Sequence, residues 1–219
     1  MEIQRSVDHM QPFIKPHQYN FIRNQIELLL QQLTTVNDPD VRDAVLYSAT
    51  TKIFDIIPIL SPEQEELLMT IRNQASEQQL FTYLDQIQPF VEPFPTITPA
   101  EIQALFPKVK KLHLPPLDTI DFSMTTYLSW NDTSNKKKFF VYPLDGTWIG
   151  LESTYLPNIQ HGICSLCKTN NEVALVSVRT NKSADHYRAV GNYLCIDSDQ
   201  CNASITAISD LEKFLANAK

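Results

Sequence analysis

The 219-residue chain carries a formal charge of −7, four cysteines and four glycines. Apolar residues make up 43% and charged residues 20%, the composition of a globular protein long enough to bury a core rather than of a disordered one. Gly146, Gly150, Gly162 and Gly191 all lie after residue 145, as do Cys164, Cys167, Cys195 and Cys201, so no glycine-rich phosphate loop of the dinucleotide-binding or P-loop kind can be written.

Charge is unevenly placed. Residues 1–97 hold six Lys/Arg against thirteen Asp/Glu, which is the whole of the −7, while residues 98–219 hold twelve of each. Within that neutral part, Lys108, Lys110 and Lys111 form one basic cluster and Lys136, Lys137 and Lys138 another. No apolar run marks a signal peptide or approaches the roughly 18 residues of a membrane span, so the expected location is cytoplasmic, where thiols stay reduced.

The first elements read as helices. From His17 to Val36, Ile22, Ile26, Leu29, Leu30 and Leu33 fall at helical spacing. Asp38-Pro39 offers a cap and a first-turn proline ahead of a stripe of Val41, Val45, Ala49, Ile53 and Ile56. Ser61-Pro62-Glu63-Gln64 and Ser76-Glu77-Gln78-Gln79 are capping boxes, each followed by helically spaced leucine and isoleucine. Four amphipathic helices joined by short capped turns predict a helical bundle over residues 1–90.

Seven of the fourteen prolines lie between Pro89 and Pro116, which rules out one continuous helix there. Residues 88–97 read as an extended linker. Thr98-Pro99-Ala100-Glu101 is a third capping box, opening a short helix with Ile102, Leu105 and Phe106. Beyond about residue 122 the period becomes two, with β-branched and aromatic residues in segments 125–130, 138–142, 147–151, 172–179 and 187–196. Residues 202–218 return to helical spacing. The whole predicts an α+β protein: the bundle of residues 1–90, then an α/β domain over residues 91–219.

The cysteines carry the chemistry. Cys164-Ser165-Leu166-Cys167 can grip a tetrahedral zinc from a tight knuckle, and Cys195 and Cys201 complete the set if one ends a strand and the other opens a helix, where the dipole favours thiolate. The order knuckle, β-hairpin, helix is that of a treble-clef zinc finger. A redox Cys-x-x-Cys, two disulfides and inert buried thiols are the other readings, and His161 or His186 stands near enough to replace one cysteine. Four thiolates fill the tetrahedron, and neither His-x-Glu nor His-Glu-x-x-His is present, so the zinc is expected to be a single structural ion and the protein not an enzyme. Function then falls to the surface that the metal holds rigid, where Arg179, Lys182, Tyr187, Arg188 and Tyr193 on the hairpin, with Phe214 on the last helix, suit a protein hot spot or RNA stacking.

Three segments in order, Leu105-Phe106-Pro107-Lys108-Val109-Lys110-Lys111-Leu112-His113-Leu114-Pro115, the knuckle, and Gly191-Asn192-Tyr193-Leu194-Cys195-Ile196-Asp197-Ser198 leading to Cys201-Asn202, resemble the elongation factor G-binding proteins that confer fusidic acid resistance. The resemblance spans essentially the whole chain. It implies zinc on Cys164, Cys167, Cys195 and Cys201, factor contacts from Tyr193 and Phe214, and release of elongation factor G from a drug-stalled ribosome with the drug unmodified. Val190 stands where the family has a basic residue, with Arg188 as the nearest substitute, and Gly162-Ile163 stands where an aromatic sometimes occurs. Lys136–Lys138 and Arg188 would steer the approach to an acidic patch. The expected assembly is a monomer acting on a protein partner at the ribosome, with no membrane contact. The competing function is a ribosome- or RNA-binding zinc protein using the two lysine clusters.

Overall fold

The computed structural model describes residues 10–36, 38–74, 76–183 and 186–216, with the side chains of 179–188 outside the described set. The chain forms two compact units, Met1–Glu92 and Pro93–Lys219.

The first unit is helical. α1 (Pro16–Leu33), α2 (Pro39–Asp55), α3 (Pro62–Met69) and α4 (Glu77–Ile87) each begin at the expected signal or within two residues of it. Asp38 accepts from the Asp40 amide at 2.9 Å. In both capping boxes the serine oxygen accepts from the glutamine amide while the glutamine side chain accepts from the serine amide, Ser61 with Gln64 and Ser76 with Gln79. Ile22, Ile26, Leu29, Ile53, Leu68, Ile71, Tyr83 and Ile87 form the buried core. The Tyr83 hydroxyl, inside that core, donates to the Leu68 carbonyl at 3.2 Å, which meets its hydrogen-bonding need. The stripe on α2 is buried only in its second half: Ala49 and Ile53 are inside, but Val41 is exposed.

Residues 88–97, expected as an extended linker, contain the boundary between the two units and carry buried side chains. A 3-10 turn over Gln88–Phe90 leads to a parallel bridge between Ile14 and Val91. Phe90, Val91, Phe94 and Ile97 are all buried.

The second unit is built on one antiparallel sheet in the order β1-β2-β3-β5-β4, with β6 on the remaining edge of β5. The strands are β1 (Leu128–Asp132), β2 (Lys137–Leu144), β3 (Thr147–Tyr155), β4 (Gln160–Ile163), β5 (Asn170–Ser183) and β6 (His186–Cys195). β2 and β3 turn at Asp145 (φ 50°) and Gly146 (φ 74°), two left-handed residues in succession that match the sheet twist. β2 is buried on both sides. Phe140 and Tyr142 face one core with the cysteines, while Phe139 and Val141 face a second with Trp130 and Phe106.

α5 (Pro99–Leu105) covers that second core, entered through the capping box of Thr98 and Glu101. It lies so close to β3 that a Cβ on Gly150 would sit 2.7 Å from the Leu105 Cβ. The final helical stretch is two helices rather than one, α6 (Ser198–Ser204) and α7 (Ser209–Leu215). The break falls at Ile205, whose extended backbone (φ −69°, ψ 126°) ends α6. That residue is fully buried, so core packing overrides its helical spacing. Residues 217–219 lie outside the described set.

Candidate metal centre and partner surface

The four cysteine sulfurs converge. Cys164 and Cys167 come from the turn after β4, Cys195 ends β6, and Cys201 lies in α6. All four Sγ atoms lie within 4.8 Å of one another, with Cys164 to Cys201 at 3.9 Å and Cys167 to Cys195 at 3.7 Å. Zn–S bonds of about 2.3 Å in a tetrahedron require sulfurs about 3.8 Å apart, so the cavity has the span of a zinc tetrathiolate. Disulfide sulfurs would lie about 2.05 Å apart, and all four thiols are free. Among the described residues the cluster is cysteine alone. His161 is exposed on β4, and the His186 side chain lies outside the described set.

The surroundings are built to hold thiolate. The knuckle closes with the Lys168 amide donating to the Cys164 carbonyl at 2.9 Å, helped by a left-handed Lys168 (φ 62°). The Leu166 and Cys195 amides each lie 3.4 Å from Cys164 Sγ. Asn171 Nδ2 reaches Cys195 Sγ at 3.5 Å. Asp197 caps α6 through the Asp199 and Gln200 amides at 2.9 and 3.1 Å, which fixes the helix that carries Cys201. Hydrogen bonds among the sulfurs, that from Cys164 foremost, pull Cys167 below the ordinary thiol range and push Cys201 above it. Four thiolates this close need a cation before all can ionise.

Two neighbours have structural roles that the sequence does not show. Asn202 is buried in α6 and ties it to the backbone of Thr126 and Tyr127. Lys138 is fully buried on β2 beside the cysteine core. Burial lowers its amine to about 8, against the opposing pull of Cys201, Cys195, Asp197 and Cys164. The basic cluster expected at 136–138 is therefore not one surface patch. Lys138 is inside and Lys137 pairs with Glu152. Lys108, Lys110 and Lys111 are exposed.

The expected contact residues divide. Tyr193 is 43% exposed on β6, opposite Leu175, and its carbonyl accepts from the knuckle Ser165 amide at 2.8 Å. Leu156, 56% exposed, donates its amide to the Leu175 carbonyl at 3.0 Å, which brings a second apolar side chain towards this part of the sheet. Phe214 is a core residue, 3% exposed, with its ring edge-on to Phe140 at 5.4 Å between centroids. It still borders a concavity of about 330 Å³ together with Leu166, Val190 and Asn192. Strand alternation puts Asn192 and Tyr193 on opposite sides of β6, so Tyr193 and the concavity flank the strand rather than share a face. Arg179, Lys182, Tyr187 and Arg188 lie on the backbone of β5 and β6, but their side chains are outside the described set.

Knuckle, long hairpin, helix and four converging thiols define a treble-clef zinc-finger protein with one structural zinc, preceded by a helical unit. Residues 102–214 match the family model of the FBP C-terminal treble-clef zinc finger, and residues 13–95 match the N-terminal model of elongation factor G-binding proteins. The chain belongs to the family of elongation factor G-binding proteins, whose partner is that factor. Among solved structures it is similar to one described as the structure of the fusidic acid resistance protein FusC, at 26% identity and a TM-score of 0.77, covering 96% of this chain and 99% of that one. No curated protein sequence matches the chain. No helix of the described residues is long and apolar enough to cross a membrane.

Proposed function

We propose that this protein binds elongation factor G in the cytoplasm and promotes its release from a ribosome stalled by fusidic acid, leaving the drug intact. The likeness to FusC over nearly the full length of both chains carries this reading. Four cysteines leave a tetrahedral zinc no open position, which supports action by binding rather than by catalysis. We place the functional division near residues 90/91, with the factor bound by the second part. Tyr193 is the exposed anchor, held at its own carbonyl by the zinc knuckle. Phe214 acts from beneath, supporting the floor of the concavity. Release without chemistry follows if the protein prefers a conformer of the factor that the drug-locked ribosome disfavours.

The test is binding of the purified protein to purified elongation factor G after nuclease treatment, for wild type and Tyr193→Ala. Retained binding by wild type and a loss of about thirtyfold in the variant, the size of a hot-spot truncation, support the reading. Binding that vanishes with nuclease would transfer the function to RNA. Fusidic acid susceptibility of cells with and without the gene tests the release step separately.

A further inference from the structure

Lys138 is the strongest unexplained group in the second unit. Its side chain is fully buried, where a lone ammonium is costly to place. The amine uses its three donors on Ser198 Oγ at 2.8 Å, the Ile196 carbonyl at 3.1 Å and Asn131 Oδ1 at 3.2 Å. All three acceptors are neutral. Among the described residues no carboxylate forms an ion pair with it, and Asp197, which caps α6, favours the ammonium only through its charge at longer range. Hydrogen bonds are thus complete, while the charge has no ion-pair partner among the described residues.

The compensating charge is supplied by the metal centre. A zinc ion with four thiolates carries a net charge of −2, and Lys138 lies on the cysteine side of β2, with its amine 5.7 Å from the centre of the Phe140 ring in that same core. Its acceptors also sit at mechanically useful places. Ile196 directly follows the ligand Cys195, and Ser198 opens the helix that carries Cys201. Asn131 Nδ2 donates to the Ile196 carbonyl as well, at 2.9 Å, so β1 and β2 clamp the segment between the two ligands.

We propose that Lys138 is the buried counter-charge of the zinc tetrathiolate and the positioning residue for the Cys195–Cys201 segment. The sheet strand β2 thereby becomes part of the metal site, although it supplies no ligand. The proposal rests on the zinc site and stands or falls separately from binding to the translation factor. A lysine here attracts the second pair of ligands as a unit and lowers the cost of collecting four thiolates in a dry core.

The experiment is zinc competition against a chromogenic chelator at fixed neutral pH, using the full-length zinc-loaded protein. Lys138→Gln keeps a polar head and removes the charge, and zinc binding should weaken at least tenfold, the range seen for groups around metal ligands. Lys138→Arg keeps the charge and should bind zinc at least threefold more tightly than Lys138→Gln. Ser198→Asp guards against a variant that fails to fold. It places a carboxylate on the amine while suiting a helix N-terminus, and should weaken zinc binding severalfold by consuming the counter-charge. Unchanged affinity in Lys138→Gln or Ser198→Asp, or equal loss in the glutamine and arginine variants, overturns the proposal.

Discussion

Asn202 Nδ2 donates to the Tyr127 carbonyl at 3.0 Å, joining α6 to the start of the sheet across 75 residues of chain. Its Oδ1 accepts from the Thr126 and Tyr127 amides at 2.7 and 3.1 Å, and Nδ2 donates again to the Ser198 carbonyl at 3.0 Å. One buried amide thus satisfies two backbone donors that have turned away from the sheet ladder. Asn202→Ala leaves both N–H groups dry and unpaired, and should destabilise the second unit by about 2–4 kcal/mol. Urea unfolding of the zinc-loaded protein checks this. A loss below about 1 kcal/mol would mean that water replaces the side chain.

Gly150 offers a test with an unusual sign. Glycine in a strand normally weakens it, so alanine ordinarily stabilises. Here an added Cβ would stand 2.7 Å from the Leu105 Cβ and 3.0 Å from Phe106 Cζ. The first neighbour is anchored to a helix backbone and has no rotamer by which to retreat. Gly150→Ala should therefore cost about 1–3 kcal/mol and lower the melting temperature. Gly162→Ala, which meets only the Val173 Cγ2 at 3.1 Å, should cost less.

Local rules made the helical unit legible. A cap residue and a glutamine or glutamate three residues later act within one turn, with a first-turn proline added at Pro62 and Pro99, so Ser61, Ser76 and Thr98 announce their helices without tertiary help. Cysteine spacing is legible for a similar reason, because zinc imposes one geometry on any chain that holds it. What escaped depends on remote partners. β4 (Gln160–Ile163) is short and has no strand pattern of its own, and exists because Asn170–Val173 pairs with it. Ile205 reads as helical until the core requires it extended. Lys138 reads as one of three surface cations, since charge is visible in a sequence but burial beside a metal is not. The packing of the Phe214 ring against Phe140 is likewise set by a remote partner.

Zinc removal should separate the two units. The four thiolates anchor the knuckle, β6 and α6 of the second unit, whereas the core of the first unit, around Ile22, Ile53 and Tyr83, contains no ligand. Chelation at neutral pH should abolish binding to elongation factor G and lower the melting temperature of the second unit. The far-UV helical signal, supplied mostly by α1–α4, should largely remain. Re-addition of zinc under reducing conditions should restore binding. Retention of full binding by metal-free protein would show that the hairpin holds Tyr193 in place unaided.

His17 makes the first unit sensitive to acid. Burial, with the Lys15 ammonium adding to it, lowers the imidazole from 6.5 to about 4, so the folded protein keeps it neutral. The unfolded chain takes up a proton near pH 6.5 and the folded chain only near 4. Between these values the unfolded state binds more protons, and stability must rise with pH. The contribution is fully present above about pH 7 and declines as pH falls through 6.5 towards 4, by at most about 3 kcal/mol. Urea unfolding monitored by the helical signal at pH 7.5, 6.0 and 5.0 reads this loss directly. His17→Gln removes the titrating group and should flatten the profile across this window. An unaltered slope in that variant would assign the acid sensitivity to other groups.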